Sequence, residues 1–167
     1  ILTTNTLSGA LYDVDMRLRP SGSSGLLASS ISAYEKYQQN DAWTWEQQAL
    51  VRARVVTGDK ALTRKFEQLR ANVLSQKRDV EKLRHDVVGM RTKMRSHGKK
   101  GTKGLFNIKH DFGGIVDIEF LMQYAVLRYS AFYPNLMKWT DNIRISEQLE
   151  AAGLLDAEDA ENLRETY

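Results

Sequence analysis

Apolar and polar positions alternate almost without a break in LYDVDMRLRP, residues 11–20. Tyr12, Val14, Met16 and Leu18 share one parity, and Leu11, Asp13, Asp15, Arg17 and Arg19 share the other. A period of two predicts a strand with one set on a core and the other lined up on the opposite surface. PSGSSG, residues 20–25, ends the pattern, because proline cannot donate to a ladder and glycine permits turns. A plain loop and a phosphate cradle are both compatible with it. The second alternation, ALVRARVV at residues 49–56, sets Val51, Ala53 and Val55 against Leu50, Arg52, Arg54 and Val56. It predicts either a second strand or a helix end leading into one. A lone strand is not stable, so this segment is the best partner for the first.

Elsewhere the period is helical. Residues 26–39 predict a short helix, with Ser29 or Ser30 as N-cap before Ile31, Tyr34 and Tyr37, and WTWEQQAL predicts another. From Asp59 onward Leu62, Phe66, Leu69 and Val73 form one stripe, and Val80, Leu83, Val87, Met90 and Met94 a second of heptad style. Such stripes are read as core or as a helix-pair seam. HGKKGTKG, residues 97–104, is basic and glycine-rich but lacks the Gly-Lys-Ser/Thr ending of a P-loop, so it predicts a connector. LFNIKHDFGG predicts a short extended piece and a turn. A strongly apolar helix is expected over 115–128, then helices near 141–151 and 156–167, the last capped by Asp156.

With 167 residues, 42% of them hydrophobic, one domain with a real core and a smaller lobe is expected. No apolar run is long enough to cross a bilayer. The absence of cysteine excludes disulfides and thiolate metal sites, and together with the lack of a signal-peptide pattern predicts a cytoplasmic protein. A net charge of +3 suits a phosphate-bearing ligand but falls short of a nucleic-acid footprint. The chain begins with Ile1 and stops at Tyr167 inside a helical pattern, which reads as a fragment of something longer.

Two acidic islands are candidates for chemistry. Asp13 and Asp15, two apart on a strand, place hard oxygen donors on one face, roughly 7 Å apart. Mg²⁺ handling phosphates uses one or two such carboxylates, and Arg17 and Arg19 on the same parity suit phosphates; cross-strand ion pairs on a solvated face explain the pattern equally. Asp117 and Glu119 lie near the start of the apolar helix, where they diverge by roughly 200° and also favour the helix dipole. His85, His97 and His110 show no metal-ligand spacing, and no Ser-His-Asp signature is present.

Three blocks in order, LTTNT with GALYDVDMRLRPSGSSGLL, AWTWEQQALVRARVVTGD and NIKHDFGGIVDIEFLMQY, account for most of residues 1–128. They resemble the bacterial glutamine synthetase adenylyltransferases. The resemblance implies a two-headed enzyme in which one head transfers AMP from ATP to a tyrosine of glutamine synthetase and the other removes it by phosphorolysis, controlling nitrogen assimilation. PSGSSGLL, the AWTWEQQALVRAR block and Asp117 look more like the C-terminal, adenylylating head; the deadenylylating head is expected to carry PFG and an Arg-Glu in place of Val-Asp before IEF.

The fold so implied is α+β and mostly helical. A remnant of a nucleotidyltransferase sheet, two or three short strands at residues 10–19 and near 51–57, ends a catalytic portion (1–58), and a helical subdomain (59–167) follows. In that superfamily two aspartates after a Gly-Ser motif and a third carboxylate hold Mg²⁺, which polarises the α-phosphate, and Asp15 matches the third position as metal ligand and catalytic group. Asp13, Asp117 and Glu119 are expected as supporting acids, and Arg17, Arg19, Arg52, Arg54 and Lys109 as nucleotide, phosphate or protein contacts. The implied partners are glutamine synthetase, the PII signal protein and glutamine as effector, with no membrane or nucleic acid. No Gly-Ser followed by Asp-x-Asp precedes Asp15, so the isolated chain is expected to be inactive. The alternatives are the deadenylylating head and a non-catalytic helical module that docks glutamine synthetase or PII.

Overall fold

A computed structural model of the chain describes Gly9 and residues 19–97 and 105–167. The described residues form seven α-helices, α1 (Ile31–Asn40), α2 (Thr44–Arg52), α3 (Lys60–Leu74), α4 (Val80–His97), α5 (Ile115–Tyr129), α6 (Asn142–Ala151) and α7 (Ala157–Thr166). Two 3-10 turns, Gly22–Ser24 and Pro134–Met137, complete the set. No strand occurs among the described residues, so the expected α+β class gives way to an all-helical one. At residues 51–57 the expectation fails for a visible reason: Val51 and Arg52 finish α2, and the chain from Ala53 pairs with nothing as a ladder. The strand expected at 10–19, and with it Asp13, Asp15 and Arg17, lies outside the described residues up to position 18. The connector expected at 97–104 lies outside them from position 98.

The chain separates into two compact units, Ile1–Asp41 and Ala42–Tyr167. In the first, PSGSSG is a tight turn: the Gly22 amide donates to the Arg19 carbonyl at 2.9 Å, and the Ser24 hydroxyl to the Ser21 carbonyl at 2.8 Å. Only glycine suits position 25, where a Cβ would lie 1.9 Å from the Pro20 oxygen. Ser30 then caps α1 by accepting from the Ala33 amide at 3.2 Å, as its place before Ile31 predicts.

In the second unit α5 is the central element. It buries Val116, Ile118, Met122, Ala125, Val126 and Leu127, a spread wide enough to meet α2, α4, α6 and the Pro134–Met137 turn. Around it α3 lies on α2, and α7 on α6. The two apolar stripes are only partly core. Leu69 and Val73 of α3 are buried, but Leu62 is 51% exposed. On α4 the buried row is Leu83, Val87 and Arg91, spaced by four, while Val80 and Met94 face solvent. Helix starts follow local chemistry: Asp59, Asp141 and Asp156 each accept from amides of the first turn.

The ends of α2 and α3 are closed differently, by one buried and one half-buried arginine. The last carbonyls of a helix have no partner within it. Arg70 of α3, almost fully buried, donates from Nε to the Leu50 carbonyl (2.8 Å), from Nη2 to that of Val51 (2.8 Å) and from Nη1 to that of Met137 (2.7 Å). One guanidinium therefore caps α2 and ties it to the 3-10 turn. Arg78, between α3 and α4, donates to the carbonyls of Val73 (2.6 Å), Leu74 (3.1 Å) and Leu127 (3.2 Å) and to Gln47 Oε1 (3.1 Å). Burial pulls its pKa down to about 10, so it stays charged at neutral pH.

Replacing Arg70 by lysine keeps the charge but removes the planar fork. The Arg70→Lys chain is expected to unfold in urea at a lower midpoint, with stability reduced by about 2–3 kcal/mol. An unchanged midpoint would show that the three carbonyls do not need the guanidinium.

Candidate functional site

The segment NIKHDFGG folds into a closed loop before α5. Asn107 Oδ1 accepts from the amides of Lys109 and His110, both at 3.0 Å, and Asp111 Oδ2 accepts from the Asn107 amide at 2.7 Å. The loop then turns its carbonyls back on the helix: Ile108 accepts from the Ile115 amide (2.9 Å) and Lys109 from that of Val116 (3.2 Å). These are first-turn amides that a helix leaves open. The approach is so close that a Cβ at Gly114 would stand 2.5 Å from the Ile108 oxygen. With its backbone thus committed, the loop presents the side chains of Ile108, Lys109, His110 and Phe112 to solvent.

The two carboxylates of α5 diverge, as their spacing requires. Asp117 turns to α4, where its Oδ1 accepts from Arg91 Nε at 2.5 Å, while its Oδ2 accepts from the Gly113 amide at 2.7 Å. Arg91 also donates from Nη2 to the His110 carbonyl at 2.9 Å, so one ion pair anchors the loop, α4 and α5 together. Burial alone would push the Asp117 carboxyl up, but the Gly113 amide and Arg91 outweigh it and hold the pKa below its ordinary 3.8. Glu119 turns to α2, accepting from Arg52 Nη1 at 3.0 Å, and the Tyr167 hydroxyl lies 3.4 Å from the same oxygen. Around Arg52, burial opposes the charge, yet Tyr167 and Glu119 raise its pKa on balance.

Of the residues singled out in the sequence, Arg52 and Glu119 are thus brought together, and Asp117 and Glu119 are not. Arg19 Nε donates to the Gly25 carbonyl at 3.3 Å within its own turn. Arg54 and Lys109 are exposed. Among the described residues no group of three or more acids and histidines is placed to hold a metal. Asp117 is engaged by Arg91 of α4 and Glu119 by Arg52 of α2, so the two carboxylates do not share one Mg²⁺ site, and no helix of the described residues is long and apolar enough to cross a membrane. Sequence reasoning missed Arg91, whose only signal was an arginine continuing the Leu83–Val87 row, and Tyr167, which carried none.

Two family models match this chain: glutamate-ammonia ligase adenylyltransferase over residues 1–69, and GlnD PII-uridylyltransferase over residues 87–167. Along its entire length the chain is 58% identical, over 179 aligned residues, to the bifunctional glutamine synthetase adenylyltransferase/adenylyl-removing enzyme of Pseudomonas putida. The chain is a homologue of one segment of this enzyme family. The similarly named enzymes of Hahella chejuensis and Pasteurella multocida are 53% and 50% identical to it, again over the whole chain. The chain spans 17–18% of the length of these relatives. In this adenylyltransferase homologue the first family match takes in the Arg19 turn, α1 and α2, and the second the NIKHDFGG loop and α5–α7.

Because the Asp117 pKa is lowered in the folded chain, its contribution to stability is present above the unfolded value and is lost as pH falls through the folded one. Asp117→Asn leaves the buried Arg91 charge uncompensated. At pH 7 the variant is expected to be less stable by about 2–4 kcal/mol, and the gap should close as pH falls through the lowered carboxyl pKa of Asp117. Urea unfolding of both chains along a pH series from neutral into acid checks this; a gap that stays constant would assign the loss to packing.

Proposed function

We propose that this chain works within the enzyme that transfers AMP from ATP to a tyrosine of glutamine synthetase, and within it in the adenylylating head. The observation that carries this reading is the 58% identity, without loss of coverage, to a glutamine synthetase adenylyltransferase/adenylyl-removing enzyme. The choice of head rests on PSGSSGLL, on the AWTWEQQALVRAR block and on Asp117 in place of glutamate. Asp15 is the carboxylate we assign to Mg²⁺ and to the tyrosine proton, on the resemblance alone. The ion pairs support a division of labour in which Asp117 holds α5 in place, the more exposed Arg52–Glu119 pair can open, and Lys109 stands on a fixed loop for contact with phosphate or protein. Regulation by PII and glutamine, and a cytoplasmic setting, belong to the same reading.

The test uses the whole parent enzyme. Asp15→Asn should lower incorporation of labelled AMP into glutamine synthetase by about 100-fold or more while phosphate-dependent release of AMP continues. Loss of release with transfer intact would place this segment in the deadenylylating head. The 167-residue chain alone should transfer no AMP, because it contains no Gly-Ser followed by Asp-x-Asp before Asp15; measurable transfer would refute the assignment of the metal ligands.

A further inference from the structure

A groove of about 320 Å³ opens between α4 and α5 on the solvent side of the Arg91–Asp117 pair. The helices run antiparallel there, since Arg91 late in α4 meets Asp117 early in α5, and Arg78, just before α4, meets Leu127 near the end of α5. Its floor is apolar, from Val87, Val88, Phe120 and Leu121, and two of these remain open to water: Val88 is 57% and Leu121 44% exposed. Its α4 wall is cationic, with Arg84, Arg91 and Arg95, and the single carboxylate of Asp117 stands on the α5 wall. Arg91 already consumes that carboxylate, and its own Nη1 is buried without a hydrogen-bond partner. At the far end Arg128 donates to the hydroxyl of Tyr124, which also lines the groove, at 3.2 Å. Glu81 sits 3.9 Å from Arg84, but both are exposed, and such a pair is weak.

We propose that this groove is the docking site for an acidic amphipathic helix of a partner protein. Charge decides the sign of the partner, and geometry decides its shape. Arg84 and Arg95 are eleven residues apart, which is about 16 Å along α4, too far for one small anion to meet both. The α4 wall places residues at 84, 87, 88, 91 and 95, and the α5 wall repeats the spacing at 117, 120, 121 and 124. Both walls are therefore helix stripes parallel to the groove, the complement of a third helix about three turns long. Its apolar residues would cover Val88 and Leu121, and carboxylates at its two ends would meet Arg84 and Arg95. Beyond Leu121 a second hollow of about 440 Å³, bordered by Leu155 and Leu163, extends the apolar surface toward α7.

The probe is a synthetic 14-residue helical peptide with leucines along one face and glutamates flanking them, and its control carries lysines for the glutamates. Saturable binding to the 167-residue chain is expected for the acidic peptide, at least tenfold weaker for Arg84→Glu/Arg95→Glu and weaker in high salt, and absent for the lysine peptide. Both arginines are exposed, so the double variant keeps the fold, checked by circular dichroism. Equal binding by the double variant, by the lysine peptide, or no binding at all would overturn the proposal. In the whole parent enzyme a Leu121→Cys thiol, identified by mapping the labelled peptide that contains position 121, is expected to react with maleimide, and the acidic peptide should block it; within this chain no other cysteine competes for the label. A thiol already shielded in the parent would show that the enzyme covers the groove with its own chain, and the partner would be excluded.

Discussion

Short helices leave a large share of their carbonyls unpaired, and in this bundle several of those carbonyls end up away from water. α2 has nine residues, and its last turn buries Leu50 and Val51. The last four carbonyls of each helix lack intrahelical partners, and an unmet one in the interior costs about 1–3 kcal/mol. Arg70 and Arg78 meet this demand with forks of donors that reach several carbonyls at once, across α2, α3, α5 and the Pro134–Met137 turn. Capping and tertiary docking are then a single event. A helix that shifted by one residue would strand carbonyls on two elements, so the arginines fix register as well as position.

The register so fixed determines where α5 begins, and the beginning of α5 carries the site. The loop at 107–114 closes on the amides of Ile115 and Val116, which is possible only if the helix starts there and Gly114 lets the loop in. Arg91 differs from Arg70 in one respect. Arg70 donates to three carbonyls, whereas Arg91 faces a carboxylate and two loop carbonyls. It therefore transmits the position of α4 to the loop, and the exposed Lys109 and His110 inherit that order.

Much of this was legible locally. Ser30 before Ile31, Asp141 before Asn142 and Asp156 before Ala157 mark helix starts that the structure keeps, because a cap needs only its own first turn. ALVRARVV was legible only in part: the structure keeps the helix end that was one of its two readings, and not the strand. Its alternation over a few residues matches a strand, but Leu50 and Val51 belong to a helix that stops at Arg52, and what stops it includes a guanidinium twenty residues away. The stripe through Val80, Leu83, Val87, Met90 and Met94 is core only at Leu83 and Val87, for a related reason. A heptad style favours Met94 for the core, yet the helix meets α5 along Leu83, Val87 and Arg91, because a paired arginine is as good a seam residue as methionine once Asp117 is opposite. Residues whose role lies in a distant partner leave no local trace.

The two ion pairs of α5 look alike in sequence and differ in physics. Arg91 is 6% exposed in its side chain, so opening its pair with Asp117 would leave a charge in the interior, at several kcal/mol. Arg52 and Glu119 are 37% and 29% exposed, and a pair so placed is worth about 0–1 kcal/mol. Asp117 is accordingly a fixed strut, while Arg52 can leave Glu119 for any better anion that comes within reach. A phosphate is such an anion, because it offers a guanidinium two oxygens and more charge than a carboxylate. The proposed contact of Arg52 with phosphate is thus compatible with its ion pair. Exposure, rather than the presence of a partner, separates the side chains that hold this fold from those free to act.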